Sequence, residues 1–138
     1  TLTTTNNLAV LLADTGRAYE AEILHREALD GSRRQLGLKH PDTLLSMDNF
    51  AVFLFTQGRL QEAEPLFRDA VAGFKETLGP QHPDTLRSLD NLAVLLSWRG
   101  SVREAEVLFR EAARGFQASL GALHPDTLAS ERNLADLL

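Results

Sequence analysis

Three histidines share one register, His40, His82 and His124, and each opens the pentapeptide His-Pro-Asp-Thr-Leu. Successive copies are 42 residues apart. Metal binding is the first chemistry that recurring imidazoles suggest, and geometry argues against it. Corresponding points of successive two-helix units lie about 16–20 Å apart if packed helices sit 8–10 Å apart, whereas zinc holds its nitrogens at about 2.0–2.1 Å. The three histidines therefore read as residues that fix the loop before a helix. His25 lies outside the motif and reads as a substituted core position.

Paired carboxylates recur too, at Glu20/Glu22, Glu62/Glu64 and Glu104/Glu106. Acid–base hydrolysis needs two carboxyls facing each other across a cleft, and residues two apart on a helix do not face each other. Glu22, Glu64 and Glu106 instead precede Arg26, Arg68 and Arg110 by four, the favourable order for a helix-surface ion pair. Every glycine is isolated, so no phosphate-binding loop is present. Serine and histidine occur without a nucleophile context. No catalytic residue, metal ligand or cofactor site is expected, and the chain reads as non-enzymatic.

These groups sit on a repeating scaffold. Asn7, Asn49, Asn91 and Asn133 form one column, Gly16, Gly58 and Gly100 another, and Glu-Ala-Glu a third. A fixed period of this kind marks a repeat array. In the middle copy Leu44, Met47, Phe50, Ala51, Leu54 and Phe55 recur at spacings of three and four, which predicts an amphipathic helix over 43–57. Pro41 suits the first helical position and Asp42 the first turn, with either His40 or Asp42 as the cap. Gly58 ends the helix. Leu60, Ala63, Leu66, Phe67, Ala70, Phe74 and Leu78 predict a second helix over 60–78. Neither helix buries its stripe alone, so the hairpins must stack. The 138 residues read as one array: repeats 1–42, 43–84 and 85–126, then 127–138 as the first helix of a truncated fourth, about seven helices in all. Thr1 aligns with Thr43, just after a missing His-Pro-Asp, so the sequence reads as a segment of a longer array.

Three irregularities stand out. Gly31, Gly73 and Gly115 fall mid-helix in every copy, each costing ~0.5–1 kcal/mol relative to alanine, which suggests close helix approach. Pro65 replaces Ile23 and Val107 early in its helix, where a missing amide matters least. Ser32 and His25 take the places of Phe74 and Phe67, so the first copy is expected to be the least stable.

The net charge of −5 and the scattered basic residues argue against nucleic acid. No membrane-spanning run is visible. The absence of cysteine fits an intracellular, cytoplasmic protein.

Two helices per unit, Ala51 in the first, Gly58 at the turn, and Ala63 and Ala70 flanking Phe67 resemble a tetratricopeptide repeat. With the 42-residue period, Asn6–Leu12, Glu62–Phe67 and Leu78–Leu86 are similar to the kinesin-light-chain variety, which also occurs attached to nucleotide-binding signalling proteins. The resemblance implies an all-α, right-handed α-solenoid of antiparallel hairpins whose concave wall, made by the first helices, binds peptide segments of partners. By alignment that wall holds Thr3, Asn6, Val10, Ala13 and Asp14; then Leu45, Asp48, Val52, Phe55 and Thr56; then Arg87, Asp90, Val94, Ser97 and Trp98; and finally Arg132 and Asp136. Trp98 and Phe55 are the expected anchors. The amides of Asn7, Asn49, Asn91 and Asn133 serve either an extended ligand or hydrogen bonds between repeats.

Two functions follow. One is a binding module with a protein or peptide in its groove, favoured by the variation of Thr3/Leu45/Arg87 and Asp14/Thr56/Trp98 between copies. The other is a spacer or self-assembling scaffold that associates weakly through exposed repeat ends, where Leu128, Leu134, Leu137 and Leu138 lack a covering helix.

Overall fold

In a computed structural model the described residues, 16–138, form six helices and no strand: α1 (Ala18–Leu36), α2 (Pro41–Thr56), α3 (Leu60–Thr77), α4 (Pro83–Trp98), α5 (Val102–Leu120) and α6 (Pro125–Leu137). The seventh expected helix falls on residues 1–15, outside the described residues, as do Thr3, Asn6, Asn7, Val10, Ala13 and Asp14. The chain divides into two compact units, Thr1–Ala70 and Val71–Leu138.

One loop chemistry starts α2, α4 and α6. Gly37, Gly79 and Gly121 take φ of +92°, +91° and +94°, a left-handed conformation open to glycine. The histidine then caps the helix. Nδ1 of His40, His82 and His124 accepts the backbone N–H of Asp42, Asp84 and Asp126, each at 3.1 Å, and proline takes the first turn. Thr43, Thr85 and Thr127, all fully buried, donate Oγ1 hydrogen bonds to the carbonyls of Gly37, Gly79 and Gly121 at 2.7–2.8 Å. Four residues of the motif thus have separate tasks: cap, first-turn restraint, capped amide and loop lock.

In the first unit α1 packs on α2. Ala21 and Ala28 are fully buried, which lets the helices approach, and His25, 1 % exposed, fills the gap between them. Its ring stacks on Phe50 and tilts against Phe53, with centroids 6.0 and 5.2 Å away. Its buried Nδ1 has no hydrogen-bond partner. Ser32 and Ser46 meet at 3.4 Å, a hydroxyl pair where the later copies have phenylalanine at the Ser32 register. Arg59, in the α2–α3 turn, reaches Glu22 on α1 and Glu62 on α3. Pro65 lies inside α3 at an exposed position.

In the second unit α4 packs on α5, and α5 on α6, with α4 also touching α6. Leu86, Leu89, Leu92, Ala93, Leu95 and Leu96 of α4 and Phe109, Ala112 and Phe116 of α5 are all buried. Gly115 is there for space: a Cβ on it would stand 2.4 Å from Leu86 Cδ2. Gly115 thus has the close-approach role that its recurrence suggested.

Two outcomes follow. His82→Ala removes a cap and should destabilise the chain by about 1 kcal/mol, whereas His82→Asn, whose side-chain oxygen can accept the same amide, should recover most of it; urea denaturation reads both. For His25, burial lowers the imidazole below its usual pKa of 6.5, so the fold prefers it neutral. Stability should fall as pH drops below 6.5 through the lowered native value. His25→Phe, which copies Phe67 and Phe109, should stabilise by about 1 kcal/mol at pH 7.5 and by more at pH 5.5 in thermal melts.

Candidate functional site

The candidate site in the second unit is made by the first helices of the third and fourth repeats, α4 and α6. Side chains three and four apart share a helix face. While one face of α4 supplies the core, the opposite stripe carries Arg87, Asp90, Val94, Ser97 and Trp98. Near the C-terminal ends of the two helices this stripe opens into a pocket of about 410 Å³. Val94, Ser97 and Trp98 line it from α4, Asn133, Asp136 and Leu137 from α6, with Phe109 of α5 at its base. Trp98 is 74 % exposed and Asp136 is exposed, while Val94, Ser97 and Asn133 are half-buried.

Deeper along the same stripe the polar residues are used internally. Ser130 Oγ of α6 donates to Asp90 Oδ1 at 3.0 Å. Burial pushes the Asp90 carboxyl up to about 7, Asp126 adds to the rise, and the Ser130 bond opposes it. Arg87 donates from Nη1 to Asp84 Oδ1 at 2.7 Å and from Nε to Asp126 Oδ2 at 3.4 Å, bridging α4 and α6. Asp90 and Arg87, both expected on the wall, thus hold adjacent repeats together. Arg132 is exposed.

The first unit presents exposed Leu45 and Val52 and half-buried Phe55 and Asn49 on α2. Asp48 is 8 % exposed, so its carboxylate is not on the open surface where the spacing put it. Spacing alone could not separate Asp90 from the wall, because it lies at the border between the outward face and the neighbouring α6. The recurrence of Ser46, Ser88 and Ser130 was the available signal: a small hydroxyl kept at one buried register marks a place where helices meet. Asn91 and Asn133 are both half-buried, and Asn133 faces the pocket.

A second cleft of about 360 Å³ lies in the first unit between α1, α2 and α3, beside Pro65. Arg26 stands over the Phe50 ring there, 5.0 Å from its centre. The expected surface ion pairs form, with Glu64–Arg68 at 2.9 Å, Glu106–Arg110 at 2.8 Å and Glu22–Arg26 at 3.8 Å. Among the described residues no group of three or more His, Asp or Glu side chains could hold a metal ion. No helix of the described residues is long and apolar enough to cross a membrane.

With this geometry in view, the likenesses are specific. A tetratricopeptide repeat model matches residues 1–76 and again 46–112. No curated protein matches the chain. Among solved structures, a Podosopora anserina kinesin light chain with nearly identical TPR-like repeats is similar at 30 % identity and a TM-score of 0.91, and a point variant of it at 30 % and 0.92. Both matches cover 99 % of this chain and 64 % of theirs, so the chain spans less than two thirds of their length. BtubC (BKLC) from P. vanneervenii shares the fold at 22 % identity and a TM-score of 0.88, with 99 % of this chain and 54 % of that one covered.

The raised Asp90 gives a signed prediction. Its native pKa lies above the unfolded value of 3.8, so stability is greatest at low pH and is lost as pH rises through about 7. Asp90→Asn should stabilise the chain more at pH 8.5 than at pH 5.5 in urea titrations, and a gain that is the same at both pH values would contradict the burial of this carboxyl.

Proposed function

The chain belongs to the tetratricopeptide repeat family, with repeats of the kinesin-light-chain type, and from that premise we propose that it binds an extended peptide segment of a partner protein. Repeats of this family generally mediate protein–protein interaction. The finer reading concerns the surface: within the second unit the segment lies on the outward stripes of the first helices, α4 and α6. One observation carries it. The pocket lined by Val94, Trp98, Asn133 and Asp136 carries Trp98 and Asp136 where the preceding copy has Thr56 and Val94, and its largest aromatic ring is 74 % exposed. An exposed aromatic beside a pocket with a few polar groups is the usual form of an interface anchor. Phe55, with Val52 and Leu45, offers the first unit's counterpart. The protein is non-catalytic in this reading and acts inside the cell, with no nucleic-acid or membrane partner.

A second reading is end-to-end association as a spacer or scaffold. It draws support from Leu128, which is 43 % exposed although Leu86 and Leu44, at the same register, are 0 % and 2 % exposed. Light scattering at high concentration separates the two, since association should be reduced by Leu128→Glu and a concentration-independent monomer would argue against it.

Phage display of random heptapeptides on the purified chain tests the binding reading. Each enriched peptide should bind the parent and lose at least tenfold in affinity on one of two changes, Trp98→Ala in the second unit or Phe55→Ala in the first. Failure to enrich any peptide, or binding indifferent to both changes, would count against the groove.

A further inference from the structure

Resting on the groove reading, we infer that the pocket between α4 and α6 takes a basic side chain, lysine or arginine, from the bound peptide. The lining suits the two parts of such a residue. Val94, Leu137 and the base at Phe109 offer apolar contact to a methylene stem, which long cationic side chains bury while keeping the head hydrated. The head then lies between two complementary groups on opposite helices. Trp98 of α4 presents an exposed indole, the best aromatic partner for a cation. Asp136 of α6 presents an exposed carboxylate, which gives a charge-assisted hydrogen bond. Ser97 Oγ and the Asn133 amide oxygen supply further acceptors.

Charge decides the sign of the ligand. Asp136 is the single ionisable residue in the lining, so the pocket is anionic. The nearest cation along α6, Arg132, lies one turn before Asp136 and outside the lining. A basic residue four positions before an acidic one is the weaker orientation for a helix pair, so Arg132 competes poorly for the carboxylate. Arg87, the other cation of this stripe, is held by Asp84 and Asp126. The net charge of −5 favours approach of a basic peptide. At about 410 Å³ the pocket has room for one long side chain and its hydration. The corresponding residues one repeat earlier are Thr56 and Val94 in place of Trp98 and Asp136. The aromatic–carboxylate pair therefore belongs to this pocket alone among the aligned registers of the described residues, and the specificity is local.

The chain has one tryptophan, so the indole N–H resonance of Trp98 reports directly on the pocket. The experiment titrates four capped tripeptides against it: acetyl-Ala-Xaa-Ala-amide with Xaa as arginine, lysine, citrulline or glutamate. Arginine and lysine should shift the resonance saturably. Citrulline, which keeps the shape of arginine without its charge, should need at least tenfold more peptide, and glutamate should not saturate. Asp136→Asn should weaken arginine binding about three- to tenfold while leaving the far-ultraviolet circular dichroism and the citrulline titration unchanged. Equal titration by arginine and citrulline, saturation by glutamate, or an Asp136→Asn chain that binds arginine as well as the parent would each overturn the inference. So would no shift with any tripeptide. In all these cases the selected heptapeptides still report separately on the groove, because their loss on Trp98→Ala or Phe55→Ala does not depend on which side chain they place in the pocket.

Discussion

The fold depends on a turn that must be made identically each time: the loop that ends a long helix at a glycine and starts the next at a histidine. A stacked hairpin array tolerates little error at this point, because the angle at which one helix leaves sets whether the next can cover its apolar stripe. The chain meets the constraint with local bonds. The glycine takes a φ near +90°, the imidazole caps, proline pre-sets the first turn, and the buried threonine ties the new helix back to the glycine carbonyl. All of these bonds lie within one loop and the first turn of the helix after it, so each loop sets its own geometry. That independence explains why the motif is invariant within the chain while the surfaces it presents are not.

With helix placement secured by the loops, the helices divide their surfaces. One side of α4 is committed to Leu86, Leu89, Leu92 and Leu96, and Gly115 yields its side-chain volume to Leu86. The border of that face is spent on tying helices together, through Ser130–Asp90 and the Arg87 bridge. Only the outermost stripe remains for a ligand, and there the copies diverge, to Ser97 and Trp98 where the preceding copy has Phe55 and Thr56. Function is thus confined to what neither the core nor the helix-to-helix ties require. The same division leaves the first unit imperfect at His25, an imidazole held neutral among aromatic rings with a nitrogen unpaired.

Much of this is legible in the residues, and the limits have physical causes. Period, helix spacing and turn glycines locate the helices to within a residue or two, since these signals are local; Pro41 and Pro83 enter the helices slightly before the apolar stripes begin. The choice between His40 and Asp42 as cap is open in the sequence because it turns on a side-chain rotamer, and in the structure the imidazole takes the role. Helical spacing puts Asp48 and Asp90 on the outward wall because it resolves angle only coarsely. A shift of a few tens of degrees separates a ligand-facing carboxylate from one bonded to the next helix, as Asp90 is to Ser130. The pocket itself cannot be read from either helix, since its walls come from residues some 40 positions apart.

A crystal structure of the chain bound to one selected heptapeptide is the most direct test of the central claim, that the outward stripes of the first helices are the ligand surface. An extended peptide crossing α4 and α6, with one side chain seated between Trp98 and Asp136, is the expected result. Peptide density on the outer face of α5, in the cleft beside Pro65, or only against Leu128 and Leu138 at the end of α6 would contradict it.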